Sequence, residues 1–204
     1  MSHRMAAITD SGRDVRFLRL ARRLDWRFLL PSPELGRVGY LAGADAELVA
    51  ACRAFARSVE PAEQATGDLD LVVVTSPTPE RLARAASLAR AGGWVYVETS
   101  GLRAQPQWSQ AATSPRASAA ILRSLGLEDV DLHWHWPDFA NCTEIVPLSP
   151  PGAARYALGR HRTGARARIR AAAARILLAA RMLDRVVPHA SVTARVPAAP
   201  GVGS

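Results

Sequence analysis

No lysine occurs anywhere in the 204 residues, so all 26 basic side chains are arginine. Against 18 acidic residues they leave a net charge of +8. A charge of that sign raises the question of nucleic acid or an anionic surface. The arginines, however, are spread along the helical stretches instead of forming one cluster with interleaved aromatics. With the abundance of alanine they read as a GC-rich coding bias, and a nucleic-acid partner is not favoured. Cysteine is equally scarce: Cys52 and Cys142 stand far apart with no ligand spacing. That excludes a disulfide framework and a structural zinc site. The N-terminal stretch has charges but no apolar core, which excludes a signal peptide. No run reaches the ~18 apolar residues of a membrane span. These absences describe a single domain in a reducing cytoplasm, with residues 1–14 as a flexible N-terminus, 15–196 as the folded unit and 197–204 as a disordered tail.

What is present is organised around Leu69–Glu98. The run Leu69–Val74, broken only by Asp70, suits a strand covered on both faces. Ser76 or Thr78 can cap a helix, with Pro79 at its first position. Leu82, Ala85, Ala86, Leu88 and Ala89 recur at helical spacing until Gly92-Gly93 stops them, and Trp94–Val97 reads as the next strand. Strand, helix and strand within about thirty residues form a βαβ crossover, the unit of a doubly wound parallel sheet.

The flanking segments extend that pattern. Val15–Leu30 places Phe17, Leu20, Leu24 and Phe28 near one face among arginines, a helix that packs on the domain or lies at a membrane surface. Arg37–Ala42 reads as the first strand, followed by a turn at Gly43–Asp45 and a helix over 46–57. Strand, glycine turn and helix offer backbone N–H groups to a nucleotide-like ligand, and a plain turn capped by Asp45 is the competing reading. Ser58–Glu60 is a strand stub, and Glu60 stands where related folds hold ribose hydroxyls, with Glu63 as the fallback. Pro61–Gly67 leaves no room for a further helix and strand, so the sheet lacks an edge unit.

Beyond Glu98, a Gln-, Ser- and Pro-containing loop over 99–115 with Trp108 stands where a lid over a cleft would lie. A helix follows over 115–125. In Val130–Pro137, alternation sends His133 and His135 to one face of a strand and Trp134 and Trp136 to the other. A His-x-His pair needs a third ligand to hold a metal, and only Asp138 is near, so no metal site is assigned. A cleft wall of packed imidazoles is the other reading. Glu144–Leu148 is a short extended piece. Arg-rich helices over 153–187 present a solvated surface or a contact for a protein partner or acidic lipids. Ala190–Val196 reads as a last strand.

Taken in order, the LDLVVV strand, the Gly92-Gly93 turn before WVYVE, the HWHWPDF segment and the closing ASVTARV strand resemble the class I S-adenosylmethionine-dependent methyltransferases over roughly residues 35–196. The resemblance implies an α/β fold: a Rossmann-like doubly wound sheet, mostly parallel with an antiparallel C-terminal strand, in three α/β/α layers. Residues 130–136 and 190–196 match that family's closing antiparallel hairpin. It further implies S-adenosylmethionine as cofactor and a small-molecule methyl acceptor. Cofactor contacts would come from Leu41, Gly43, Asp45, Glu60, Thr75 and Ser76, and His133 or His135 would serve as base or substrate ligand. The family's acidic-Gly-x-Gly-x-Gly loop is reduced here to Leu41–Asp45, and its third strand is missing. A catalytically inactive domain that serves as a binding or regulatory partner is therefore the alternative.

Overall fold

The computed structural model describes residues 14–41, 46–100, 114–149, 151–160, 172, 174, 183 and 187–198. Among these residues seven strands form one sheet: β1 (Arg37–Tyr40), β2 (Ser58–Pro61), β3 (Leu69–Thr75), β4 (Ala89–Ser100), β5 (Glu128–Trp136), β6 (Glu144–Pro147) and β7 (His189–Arg195). Their order is β2-β1-β3-β4-β7-β5-β6. The first four run parallel, β7 enters antiparallel between β4 and β5, and β6 closes the far edge beside β5. This is the doubly wound, mostly parallel sheet that the sequence implies. The hairpin expectation is met as well, since β5 and β7 pair antiparallel with His133 opposite Ser191.

Helices cover both faces. On one side lie α1 (14–23), a 3-10 turn (Asp25–Leu29) and α2 (Ala46–Phe55). Their Leu24, Trp26, Leu48, Ala51 and Cys52 bury against Val38, Leu71, Val73 and Tyr96 of the sheet. The Trp26 indole stacks on the Tyr96 ring at 3.8 Å between centroids. On the other side, α3 (Pro79–Leu88) and α4 (Pro115–Ser124) press Leu82, Ala85, Leu88, Ala119 and Leu122 onto Val72, Val74, Val95, Val97 and Val192. Alternation along β3 and β4 feeds both cores, which is why these strands read as continuous apolar runs. α5 (Pro151–Arg160) covers the β6 end through Ala154, Ala157 and Leu158.

Local chemistry sets most boundaries. Thr78 caps α3, its hydroxyl accepting from the Arg81 N–H at 3.3 Å, and Pro79 follows at the first helical position. Ala62–Asp68 turns directly from β2 back into β3, and β2 is the outermost strand among the described residues.

Two expectations need correction. The segment 15–30 is not one helix, because α1 stops at residue 23 and a 3-10 turn follows. The break rotates the buried side onto Arg23, Leu24 and Trp26 and leaves Phe17 and Phe28 exposed. Gly92-Gly93 does not end α3 either, since the helix ends at Leu88 and β4 already pairs from Ala89. The glycines serve a register shift between Leu69 and Leu71. Gly92 sits at φ +73°, and a Cβ on Gly93 would stand 2.9 Å from the carbonyl oxygens of both Arg90 and Leu69. Only glycine permits that close passage of backbones.

Candidate functional site

In an open α/β sheet a ligand crevice forms outside the carboxyl ends of the strands, where the winding reverses. Here the chain goes from β1 outward to β2 and then returns to β3 on the other side of β1, so the reversal lies between β1 and β3. Leu41 follows β1, is buried and donates its N–H to the Val73 carbonyl at 3.0 Å. Gly43 and Asp45 lie outside the described residues. Thr75 ends β3 at 7% exposure, and its Oγ1 is buried with no hydrogen-bond partner. Ser76 follows at φ +54°, a left-handed conformation rare for a residue with a side chain. A buried unsatisfied hydroxyl thus stands beside a left-handed residue at the carboxyl end of β3. Leu41, Thr75 and Ser76 stand together at the carboxyl ends of β1 and β3. Glu60 is one strand further out, in β2, where Arg37 Nη2 donates to its Oε1 at 3.2 Å.

The register extends this edge into a polar row. Thr75 lies opposite Glu98, Glu98 opposite Ser191, and Ser191 opposite His133, so four neighbouring strands carry one line of polar side chains on one face. All four residues are buried. From α1, Arg23 closes over the row with a bidentate pair to Glu98, Nη1 to Oε1 at 2.6 Å and Nη2 to Oε2 at 2.7 Å. The Tyr96 hydroxyl donates to Glu98 Oε1 at 3.2 Å, and burial together with the Glu98 charge raises its pKa well above the usual phenol value.

His133 and His135 do share a face, as alternation requires, while Trp134 and Trp136 meet edge-to-face on the other. Both imidazoles are enclosed. His135 is 1% exposed; its Nε2 lies 2.8 Å from Ser191 Oγ and its Nδ1 3.6 Å from Cys142 Sγ. Burial first, then the neighbouring His133, Arg23 and His189 charges, push its pKa down to about 3. His133 is also lowered by burial, against the Asp131 carboxylate, and its Nδ1 is buried without a partner.

A third imidazole, His189, begins β7 at the same edge and is only half-buried. Its ring meets Phe139 edge-on at 5.6 Å, and Phe139 also packs on His135 at 4.7 Å and under the Arg23 guanidinium. Burial lowers the pKa of His189, while the Asp138 and Glu98 carboxylates oppose the shift. Asp138 accepts the Asn141 N–H at 2.7 Å. Although partial burial pushes its carboxyl up, the Asn141 bonds outweigh this and hold it below the usual range. Among the described residues no cluster of three or more His, Cys, Asp or Glu could hold a metal ion. A separate cleft of about 570 Å³, lined by Leu35, Phe55, Arg57, Asp70, Arg90 and Trp94, lies at the amino ends of β1, β3 and β4, away from this site.

Arg23, Glu98, Ser191 and His189 are not evident as site residues in the sequence. Glu98 had a signal, a lone carboxylate ending an apolar strand. Arg23 is one arginine among many in its helix.

No protein-family model matches the chain, and no curated protein matches it in sequence. Solved structures similar to it include phosphoethanolamine N-methyltransferase 2 of Haemonchus contortus in complex with S-adenosyl-L-methionine, at TM-score 0.49 and 10% identity over 87% of this chain. A SAM-dependent methyltransferase from Archaeoglobus fulgidus aligns at TM-score 0.48 and 15% identity over 87% of this chain and 94% of its own. One from Thermotoga maritima aligns at TM-score 0.47 and 10% identity over 96% and 99%. The chain spans about half, 52%, of the length of the Haemonchus enzyme.

Proposed function

We propose that this domain binds S-adenosylmethionine at the carboxyl edge of β1 and β3 and transfers its methyl group to a small molecule. The observation that carries this reading is the Thr75–Ser76 corner: a buried hydroxyl without a partner and a left-handed residue at the point where the sheet reverses. Its family-level support is the sheet itself, in which β3 and β4 match the fourth and fifth strands of the methyltransferase pattern and β5 and β7 its closing hairpin. When bound, the sulfonium supplies an activated methyl group, so the protein's task is mainly alignment. Leu41, Thr75 and Ser76 hold the cofactor side, with Gly43 and Asp45, which follow Leu41 in the sequence, as further contacts and Glu60 at the ribose. Glu60 fits that role because its Arg37 partner is a half-exposed side chain from which it can exchange.

A base is required only for an acceptor that must lose a proton. His133 and His135 form the wall beneath the acceptor side, and His189, half-exposed and deprotonated at neutral pH, is placed to take the proton. The alternative reading, a domain that keeps the sheet without catalysis, is favoured by one feature. Among the described residues no strand lies beyond β2, on the side where one wall of a cofactor pocket would stand.

Thr75→Val tests the corner, since it keeps shape and removes only the hydroxyl. It is expected to weaken S-adenosylhomocysteine binding roughly tenfold, as the loss of one hydrogen bond does, while leaving the melting temperature unchanged or raised. Glu60→Ala is expected to weaken binding by a similar factor. Isothermal calorimetry reads both. Unchanged affinity in Thr75→Val, with the fold intact, removes that corner from the site.

A further inference from the structure

The outward surface of α1 and the 3-10 turn differs from the rest of the described surface. Seven large apolar residues are exposed among the described residues, and four lie within this one segment: Val15 at 65%, Phe17 at 55%, Leu18 at 58% and Phe28 at 63%. Two of them, Phe17 and Phe28, join Phe55 and Arg27 in one cluster. The Phe17 ring lies 5.3 Å from Phe55, and the Arg27 guanidinium sits 4.4 Å from the Phe55 ring and 4.7 Å from that of Phe28. On α1 the spacing of Val15, Leu18 and Arg22 puts them on one stripe, opposite the buried Leu24.

The segment carries five arginines against two acidic residues. Of its five arginines, Arg23 is buried against Glu98, and Arg19 is held by Glu47 with Nη2 donating to Oε2 at 3.0 Å. Arg16 and Arg22 are exposed, and Arg27 is half-buried between two aromatic rings. The acidic residues of the segment are Asp14 and Asp25.

We propose that this face docks on an anionic lipid surface. Aliphatic and phenylalanine side chains enter the boundary between headgroups and acyl chains, while arginine stems lie along the apolar surface and keep their guanidinium groups at the phosphates. The chain's net charge of +8 adds attraction of the same sign. A second copy of this chain fits less well, because a symmetric pairing would set Arg16, Arg22 and Arg27 against their own images. Nucleic acid would leave Val15, Leu18 and Phe28 without apolar partners. The docking proposal does not rest on the proposed cofactor site.

The test is co-sedimentation of the full chain with phosphatidylcholine vesicles, with and without about 30% phosphatidylglycerol, at ~0.1 M salt. Binding is expected on the anionic vesicles, weak or absent on neutral ones, and reduced at high salt. The double variant Phe17→Ser, Leu18→Ser is expected to lose roughly fivefold or more of the bound fraction with an unchanged melting temperature. The proposal is overturned by absence of sedimentation with anionic vesicles, or by binding that the double variant retains. It is equally overturned if light scattering shows a dimer in solution that the same variant dissociates.

Discussion

Lowering the pH from 6.5 to about 4.5 is expected to remove about 2–3 kcal/mol of stability through His135 alone, two units at about 1.4 kcal/mol each. The sign follows from which state binds the proton. In the unfolded chain the imidazole titrates near 6.5, whereas in the folded protein its pKa lies at about 3. Between those values the unfolded state carries a proton that the folded state refuses. The contribution is therefore complete above pH 6.5 and declines as the pH falls toward 3. His133 and His189, both lowered chiefly by burial, act in the same direction. Asp25, whose carboxyl is raised by burial, acts in the opposite one. Urea unfolding followed by circular dichroism at several pH values measures the slope. His135→Gln should lower stability at neutral pH, because Ser191 and Cys142 lose their contacts with the imidazole, yet flatten the profile between pH 6.5 and 4.5. A slope that survives in the variant would assign the acid sensitivity elsewhere.

Arg23→Leu is expected to cost about 3–5 kcal/mol, the range for stranding one charge of a buried pair. Both side chains of the pair are nearly inaccessible, 3% and 7% exposed, so water cannot replace the guanidinium beside Glu98. The Tyr96 hydroxyl remains as a donor and offsets only part of the loss. Glu98→Gln, which keeps an acceptor for Arg23 and Tyr96, should be milder. The double variant Arg23→Leu, Glu98→Leu should recover a large part of the single loss, because it buries neither charge. Chemical denaturation of the wild type, Arg23→Leu, Glu98→Leu and the double variant gives the coupling directly. Additive losses would show that Arg23 stabilises α1 by packing and not through its charge.

The strands and the α3 cap were legible because their causes are local. The apolar run Leu69–Val74, the Thr78-Pro79 pair and the stub ending at Glu60 each carry their own signal within a few residues. The gap between β2 and β3 was legible for a simpler reason, since Pro61–Gly67 is too short for a helix and a strand. The polar row was not. It requires Glu98 to meet Arg23, 75 positions earlier, and Ser191, from a strand near the other end of the chain. Pairings of that range depend on register, which no local pattern encodes. Arg23 was further hidden by the break after residue 23, which turned the buried side of α1 away from the face that a continuous helix would present. His133 and His135 were placed correctly on one face by alternation, but only the third dimension reveals their enclosure and brings His189 to the same edge.

The central claim is that the carboxyl edge between β1 and β3 holds S-adenosylmethionine. Calorimetric titration of the purified protein with S-adenosylmethionine and S-adenosylhomocysteine tests it most directly. The expected result is one saturable site per chain with micromolar affinity, about −8 kcal/mol, accompanied by a raised melting temperature. Absence of both heat and thermal shift at ~1 mM ligand, where even a binding free energy near −4 kcal/mol would register, would contradict it.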